Sequence, residues 1–280
     1  MNTTRNDRDP KDSQNQCEKW WRTQIIEMQP GLVRFRGYAV EDLIGNVSFS
    51  QMIWLMLRGE LPGEGEAELL DAALMAGVDH GPQAPSIATA RMAVTCGVGL
   101  NAAMASGLNA LGDVHGGAGE QAVELYQAIR ARMDEGADCD DAVRAQIDDD
   151  LREKGKYIAG FGHRFHPVDP RVPRLLELVD EAALDGVVPG GFARIGRAVE
   201  SELTARKGKL IPMNIDGATA VIYAELGFPA PLARGLFCLS RSVGILAHGW
   251  EQMGQGERNK GPIPRHMLWS YEGPGPRKLP

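Results

Sequence analysis

The sequence contains few aromatic residues, few cysteines and no excess of positive charge. Aromatic side chains make up 6% of its 280 residues, and Lys+Arg 30 against Asp+Glu 37 give a net charge of −7. This charge argues against a nucleic-acid partner, because little offsets repulsion from phosphates. The four cysteines share no metal-binding or redox spacing, so we expect free thiols in a reducing compartment.

No export signal or membrane anchor is evident. Residues 1–18 are polar and charged, and their composition predicts disorder. The most apolar run, Val94–Leu111, is interrupted by Thr, Ser and Asn side chains, which favours a helix buried in protein over a membrane span. We therefore expect a cytoplasmic protein without a membrane partner.

The sequence also lacks the common cofactor motifs. Neither G-x-G-x-x-G after a strand nor G-x-x-x-x-G-K-[ST], H-E-x-x-H or G-x-S-x-G occurs, so redox, ATP-driven and serine-hydrolase chemistry lose support. His163 and His166 lie close together, but no cysteine or carboxylate cluster accompanies them. The sequence therefore predicts no metal site and no permanently bound cofactor.

Abundant alanine, few aromatics and few alternating segments predict a mainly α-helical protein. Ser48 and Gln51 form a capping-box pattern at the start of one helix, which Gly59 and Pro62 end. The stretch 134–153, with nine acidic residues, is interpreted as solvated surface, and the last 25 residues as an extended tail. Further helices are predicted at about 63–77, 86–111, 119–133, 172–184, 190–206, 218–226 and 231–252.

The last long helix carries apolar residues every three or four positions. They predict its buried face and are Leu232, Leu236, Leu239, Val243, Leu246 and Trp250. Arg234, Arg241 and His248 are seven apart and form a stripe turned away from that face. The stripe fits either a solvated surface or an anion site, because arginine presents a rigid fork to carboxylates.

Two histidines and one aspartate lie in glycine-rich breaks between predicted helices, namely His115, His163 and Asp216. Glycine lets the backbone approach a ligand closely, and the N–H groups that open the next helix can bind an anion. Taken singly, each residue fits a helix cap or a structural histidine. Together with Arg171 and Arg241 they also fit acid–base catalysis on an anionic substrate.

Six motifs, from about residue 30 to the C-terminus, resemble the citrate synthase superfamily and more closely its short citryl-CoA lyase branch. The motifs are VRFRGYAVEDLIGNVSFSQMIWLMLRGELP (33–62), AGVDHGP (76–82), DVHGGAGE (113–120), GFGHRFHPVDPR (160–171), KLIPMNIDG (209–217) and SRSVGILAHGWEQ (240–252). Their common order makes the resemblance more specific than any single motif.

The resemblance implies a role for each matching residue. His115 would hydrogen-bond the thioester carbonyl and stabilise the enolate of acetyl-CoA, and Asp216 would move the proton at the methyl carbon. His163 would exchange a proton with the citryl hydroxyl, which becomes the oxaloacetate carbonyl. The residues implied to hold the oxaloacetate carboxylates are His80, Arg171, Arg241 and, reaching in from a partner subunit, Arg265.

Coenzyme A is expected as part of the substrate. The glycine loops and nearby lysines are the predicted contacts for its phosphates, namely Gly116, Gly117, Gly160, Gly162, Lys154, Lys156, Lys207 and Lys209. The negative net charge does not oppose this, because local positive groups set the potential at a site.

The resemblance further implies a two-domain, all-α fold with the active site in the cleft between the domains. The large domain would comprise residues 19–119 and 223–280, and the small domain residues 120–222. Closure of the cleft would complete the site and exclude water. A homodimer is the expected minimum assembly, by analogy.

Three departures favour the lyase branch over an ordinary citrate synthase. The chain is short, Gly119 stands where the family has Asn after H-G-G-A, and N-I-D-G replaces N-V-D-F. We therefore predict cleavage of citryl-CoA to acetyl-CoA and oxaloacetate. The alternatives are a compact citrate synthase, or 2-methylcitrate synthase-like enzyme, and a non-catalytic acyl-CoA-binding paralogue. The last is disfavoured because a binding module does not need His115, His163 and Asp216 together.

Overall fold

A computed structural model describes residues 16–17, 19–153, 155, 157–163, 167–264 and 266–280. Its backbone divides into two compact units, residues 1–68 and 69–280. Helices make up most of the secondary structure and supply most of the buried core, which confirms the predicted helical class. Most of the segment predicted to be disordered, 1–18, lies outside the described residues.

The first unit contains a small antiparallel sheet that the sequence analysis did not predict. Strands β1 (Ile26–Gln29), β2 (Leu32–Phe35) and β3 (Tyr38–Ala39) pair in chain order. Each strand is joined to the next by a two-residue turn, and both turns end in a glycine with positive φ, Gly31 at 79° and Gly37 at 91°. Such turns bring short strands into register, although four-residue strands give little sequence signal.

The helices of this unit follow the sheet directly. Helix α1 spans Val40–Leu43 and α2 spans Phe49–Arg58. The predicted capping box is confirmed: Gln51 N donates to Ser48 Oγ (3.2 Å), and Ser48 N donates to Gln51 Oε1 (2.7 Å). Gly59 ends α2 in the left-handed conformation, as expected.

The second unit is built from helices, most of which pack on α10 or α11. Helix α3 spans Glu64–Ala76. The others are α4 (Pro85–Thr95), α5 (Leu100–Asn109), α6 (Ala118–Asp134), α7 (Cys139–Glu153), α8 (Arg171–Leu184), α9 (Gly191–Lys207), α10 (Ile215–Glu225) and α11 (Ala230–Gln255). Helix α11 packs on α4, α5 and α6, and α10 packs on α6, α8 and α9.

The single helix predicted for 86–111 is wrong. The segment forms two helices, α4 and α5, because Gly97 takes a left-handed conformation (φ 89°) and Gly99 begins the next helix in an extended one. Glycine reaches positive φ without the penalty that a Cβ would bring, so it permits the reversal between them. The two helices then pack against each other.

The acidic stretch 134–153 is more than solvated surface. Residues 139–153 form α7, whose inner face buries Cys139, Val143 and Ile147. The aspartates lie mainly on the other side, where Asp149 pairs with Arg132 (2.5 Å). The few apolar residues of α7 recur with helical spacing, so the helix is amphipathic. The sequence analysis considered only the number of charged residues and missed this spacing.

The predicted buried face of α11 is also wrong in four of its six positions. Leu239, Val243, Leu246 and Trp250 are exposed, and Val243 retains 56% and Trp250 67% of their accessible surface. The face that packs inward carries small residues and Arg241. Small residues are needed there because the backbone carbonyl of Val78 comes close to Gly244. Among the described residues α11 is the one helix long and apolar enough to span a membrane, a property that core helices of globular proteins share.

Candidate active site

Six of the predicted site residues lie in the second unit and come together there. The three histidines lie in loops: His80 follows α3, His115 lies between α5 and α6, and His163 precedes α8. The other three residues lie on helices. Arg171 begins α8, Asp216 lies in the first turn of α10, and Arg241 lies in the middle of α11. The imidazole rings of His80 and His163 meet edge to face with centroids 5.7 Å apart. The charges of Arg171 and Arg241 act on both His80 and Asp216.

The first turn of α4 fixes the orientation of His115. The backbone N–H of Ser86 donates to His115 Nε2 (3.1 Å), and Ser86 Oγ lies 3.0 Å from the same atom. Because Nε2 accepts a hydrogen bond from an N–H group, it carries no proton, and the neutral ring holds its proton on Nδ1. Burial lowers the pKa of His115, and the positive charge of Arg241 lowers it further. His115 is therefore a neutral imidazole that offers one N–H donor.

The loop that carries His115 is held by α11. Arg234 forms ion pairs with Asp113 (2.6 Å) and Glu120, which lie on either side of the loop. Gly116 has φ 97°, and a Cβ there would come within 2.9 Å of the Leu111 side chain. The glycines thus allow the loop to close against its surroundings. That Gly116 and Gly117 contact coenzyme A stays a prediction.

Asn214 joins the two glycine-rich breaks around Asp216. Its side chain caps α10 by accepting from Asp216 N (3.0 Å), and its amide donates to Gly162 O (2.8 Å). Gly160 O accepts from Asn214 N (2.9 Å), and a Cβ on Gly160 would lie 2.9 Å from the Cα of Gly217. Glycine at both positions lets the segments approach closely, which sets Asp216 at the start of its helix.

Asp216 is a half-buried carboxyl whose acidity is perturbed by its surroundings. Burial raises its pKa above the ordinary value for aspartate. The guanidinium groups of Arg241 and Arg171 oppose the increase, and Asp169 reinforces it. The net increase favours the protonated form, as a group that donates a proton to carbon requires.

Arg171 is held by a fully buried aspartate. Asp169 accepts from Arg171 Nε (2.9 Å) and from Nη2 (2.8 Å), in the bidentate geometry that favours this pair. Burial alone would raise the pKa of Asp169, but these hydrogen bonds and the charge of Arg171 lower it. Arg171 Nη1 donates to Ala76 O (3.1 Å), which ties α8 to the segment before His80.

Arg241 is buried, so the interpretation of its stripe as solvated surface is wrong. Its Nε donates to Gly77 O (3.1 Å), and its guanidinium lies over the Phe237 ring at 4.8 Å. Burial lowers the pKa of Arg241, and Asp216 and Asp79 oppose that decrease. Arginine is so basic that it stays charged, and it supplies a buried positive charge to the site.

The remaining predicted residues do not all fall in this cluster. Lys207 lies in the last turn of α9 and Lys209 just beyond it, and both are exposed. Lys154, Lys156 and Arg265 lie outside the described residues. In the part of the chain that the structure describes, no three His, Cys, Asp or Glu side chains group as metal ligands would.

The sequence analysis missed three residues that support the site, namely Ser86, Asp169 and Asn214. Asp169 and Asn214 had a local signal, since Asp two residues before Arg171 and Asn two before Asp216 both precede helices, where short polar side chains cap. Ser86 had none, because it contacts His115 across 29 positions of sequence.

Comparisons with known proteins show the family to which the chain belongs. Residues 62–265 match the family model described as "Citrate synthase, C-terminal domain". Citrate synthase 1 of Mycobacterium tuberculosis is 33% identical over 72% of this chain and 46% of the relative. Citrate synthase of Haloferax volcanii is 33% identical over 70% of this chain and 49% of the relative. The chain thus spans about half the length of these curated relatives.

Among solved structures, citryl-CoA lyase from Hydrogenobacter thermophilus is similar to nearly the whole chain. It is 34% identical, covers 93% of this chain with 97% of its own, and has a TM-score of 0.80. The chain belongs to the citrate synthase superfamily, in the branch that contains citryl-CoA lyase. Members of this superfamily are enzymes.

Proposed function

We propose that the protein is a citryl-CoA lyase, which cleaves citryl-CoA to acetyl-CoA and oxaloacetate. The observation that carries the proposal is the Ser86–His115 hydrogen bond, which leaves His115 Nδ1–H as a donor for the oxygen of an enolate. The lyase of Hydrogenobacter thermophilus supports it by matching this chain over almost its full length.

The reaction breaks the bond between the carbinol carbon and the methylene carbon of the citryl group. His163 accepts the hydroxyl proton, and the electron pair of the broken O–H bond forms the second bond of the oxaloacetate carbonyl. The electron pair of the broken carbon–carbon bond forms the enolate of acetyl-CoA. His115 stabilises the enolate oxygen through its N–H group. Asp216 in its protonated form donates a proton to the methylene carbon, which becomes the methyl group of acetyl-CoA.

The positive groups of the site would hold the carboxylates of the oxaloacetate half. Arg171 and Arg241 are fixed by Asp169 and Gly77 O, so each guanidinium is oriented before substrate binds. His80 meets His163 at the same place and would contribute a hydrogen bond. Arg265 of a partner subunit is the further arginine that the family resemblance implies.

Coenzyme A would be bound by the glycine loops and by exposed lysines. Gly116 and Gly117 precede α6, whose opening N–H groups attract phosphate, and Gly160 and Gly162 lie next to α10. Exposed Lys207 and Lys209 lie shortly before the segment that leads to Asp216. Lys154 and Lys156 are the other two lysines that we propose as contacts for the coenzyme A phosphates.

The proposed assembly is a homodimer in the cytoplasm. Leu239, Val243, Leu246 and Trp250 form an exposed apolar face along about three turns of α11, and a second copy of this chain would cover it. All four cysteines are free thiols, as predicted, which suits a reducing compartment.

The experiment that tests the proposal uses purified protein and synthetic citryl-CoA. Oxaloacetate release is followed through malate dehydrogenase and NADH oxidation, and acetyl-CoA is quantified in parallel. The expected result is one oxaloacetate and one acetyl-CoA per citryl-CoA. No oxaloacetate from folded protein would contradict the lyase and point to another acyl-CoA or to a binding role.

A compact citrate synthase is the second candidate, and the 33% identity to citrate synthases favours it. This reaction adds hydrolysis of the thioester to the condensation step. The same preparation is therefore given acetyl-CoA and oxaloacetate. Stoichiometric citrate and free CoA would identify a synthase, whereas a lyase forms no net citrate.

A further inference from the structure

Helix α11 binds the segment that leads to His80 at successive points. The donors lie on one face of the helix, and their acceptors follow one another along residues 74–78. The bonds are Ser240 Oγ to Leu74 O, Arg241 Nε to Gly77 O (3.1 Å) and Gly244 N to Val78 O (3.1 Å). A Cβ at position 244 would collide with Val78 O, so glycine is required for this contact.

His248 continues this series one turn further along α11. Its Nε2 lies 3.2 Å from Asp79 Oδ1, and Asp79 is the residue before His80. The other oxygen of Asp79 accepts from Gly81 N (3.2 Å), the residue after His80. One carboxylate therefore holds the backbone on both sides of His80 and is itself held by His248.

Arg91 on α4 determines which nitrogen of His248 carries the proton. Arg91 Nη1 lies 3.2 Å from His248 Nδ1, and a guanidinium can only donate, so Nδ1 accepts. Nε2 is then the nitrogen that donates, and its acceptor is Asp79 Oδ1. Arg91 is oriented by Glu251 (2.6 Å) and Gln255 (2.9 Å), which lie on the next turns of α11.

We propose that His248 is a positioning residue for His80: held in one tautomer by Arg91, it donates to Asp79 and so fixes the backbone that presents His80 to the oxaloacetate carboxylate. His248 touches Asp79 and Arg91 and has no role in the chemical step. The identity of the ligand rests on the proposed function, whereas the placement of His80 does not.

Two variants of His248 separate the hydrogen bond from the volume of the ring. His248→Leu replaces the ring with an apolar side chain of similar size and so removes the donor to Asp79. His248→Gln restores an N–H donor near the position of Nε2. We expect His248→Leu to weaken oxaloacetate binding roughly ten-fold by calorimetry, the change that loss of one charge-assisted hydrogen bond brings. The Kd for CoA stays unchanged, and His248→Gln recovers most of the oxaloacetate affinity.

A second measurement needs no reaction and no substrate. Burial lowers the pKa of His80, and the charges of Arg241 and Arg171 lower it further. The NMR signal of the His80 ring, assigned with His80→Gln, reports this pKa. In His248→Leu the ring is no longer held beside the two arginines, so its pKa moves up toward the ordinary value. In His248→Gln it stays low.

Arg91→Leu tests the tautomer and has a matched control. Arg197 is also a helical arginine in an ion pair, with Asp180 (2.5 Å), but it is far in sequence from the series on α11. We expect Arg91→Leu to reproduce the effects of His248→Leu in weaker form, and Arg197→Leu to change neither oxaloacetate affinity nor the His80 pKa. Equal effects of the two arginine variants would overturn the proposal.

The outcomes distinguish this inference from the proposed function. If wild-type protein neither cleaves citryl-CoA nor binds oxaloacetate, the proposed function fails, and the His80 titration still decides the positioning role. If His248→Leu leaves the His80 pKa and the oxaloacetate Kd as in wild type, the positioning role is wrong. The same holds if His248→Gln behaves like His248→Leu. If His248→Leu does not fold, His248→Gln and Arg91→Leu carry the same test.

Discussion

The backbone N–H of Ser86 donates to Nε2 of His115 at 3.1 Å, so the only proton donor left on that ring is Nδ1. Ser86 lies in the first turn of α4, where backbone N–H groups have no partner within the helix. The positive end of the helix dipole also disfavours a charged imidazole there. A helix terminus therefore fixes both the tautomer and the neutral state of the proposed enolate stabiliser.

Removal of that N–H group is expected to impair catalysis. Ser86→Pro deletes the donor in the first helical turn, where this N–H group has no partner within the helix, so no intrahelical hydrogen bond is lost. Without it His115 can change tautomer, and we expect kcat for citryl-CoA cleavage to fall about 100-fold, as for loss of one oxyanion-hole donor. Ser86→Ala is the matched control: it also loses the hydroxyl but keeps the N–H, so it stays within about three-fold of wild type. Equal losses in both variants would contradict the role of the backbone group.

Asp216→Asn is expected to lose turnover while gaining stability. The amide cannot donate a proton to carbon as the acid does, so kcat falls by at least about 100-fold, and the Kd for CoA is unchanged. Burial raises the pKa of Asp216, which means that its charged form is unfavourable in the folded state at neutral pH. The neutral amide removes that penalty, and urea denaturation should show a higher free energy of unfolding. Wild-type turnover in Asp216→Asn would contradict the proposed mechanism.

Stability is expected to fall as the pH decreases from about 7 to about 5.5. The pKa values of His80 and His115 are lowered in the folded protein, so the unfolded chain binds protons first as the pH falls. Stability is thus highest above the ordinary histidine pKa and declines below it. Asp216 acts in the opposite sense, because its folded pKa is raised.

The histidine contribution is isolated by comparing variants in urea across this pH range. His115→Gln should show a shallower decline of unfolding free energy than wild type, since one titrating group is removed and Asp216 is unchanged. His266→Gln, in the exposed C-terminal tail, is the control for the loss of a histidine elsewhere in the chain. An identical slope for His115→Gln and wild type would show that His115 titrates alike in both states.

A glutamate on the exposed face of α11 is expected to dissociate the proposed dimer. Val243→Glu would place an unpaired carboxylate in the interface, at a cost of about 3 kcal/mol or more. Light scattering after size-exclusion chromatography should show a dimer for wild type and a monomer for the variant. Leu184→Glu, on a leucine that is exposed at the end of α8, should remain dimeric. A monomeric wild type would contradict the proposed assembly.

Local signals predicted much of the helical framework. The capping box at Ser48, the end of α2 at Gly59 and the bounds of α8 and α9 were placed to within two residues. These features depend on neighbouring residues, whose capping and backbone preferences act at short range. The division of 86–111 into two helices was missed, since glycine within an apolar stretch can either stay helical or reverse the chain.

The faces of α11 show where periodicity fails. Apolar residues mark one side, but the side that packs inward is the one with Gly244 and Arg241, because backbone at Val78 and Gly77 comes close there. A hydrophobic stripe indicates that a surface is covered and does not say by what. If a second copy covers Val243 and Trp250, as proposed, the stripe and the inward face serve different contacts.

The sequence by itself determined the helical class, most helix bounds and the membership of His115, His163 and Asp216 in one set of ordered motifs. Only the tertiary structure decided the state of those groups: the tautomer of His115, the acidity of Asp216 and the support of His80 through His248. The physical reason is distance along the chain. Ser86 and His115 are 29 positions apart, and Arg91 and His248 are 157 apart, so only folding brings the donor to its acceptor.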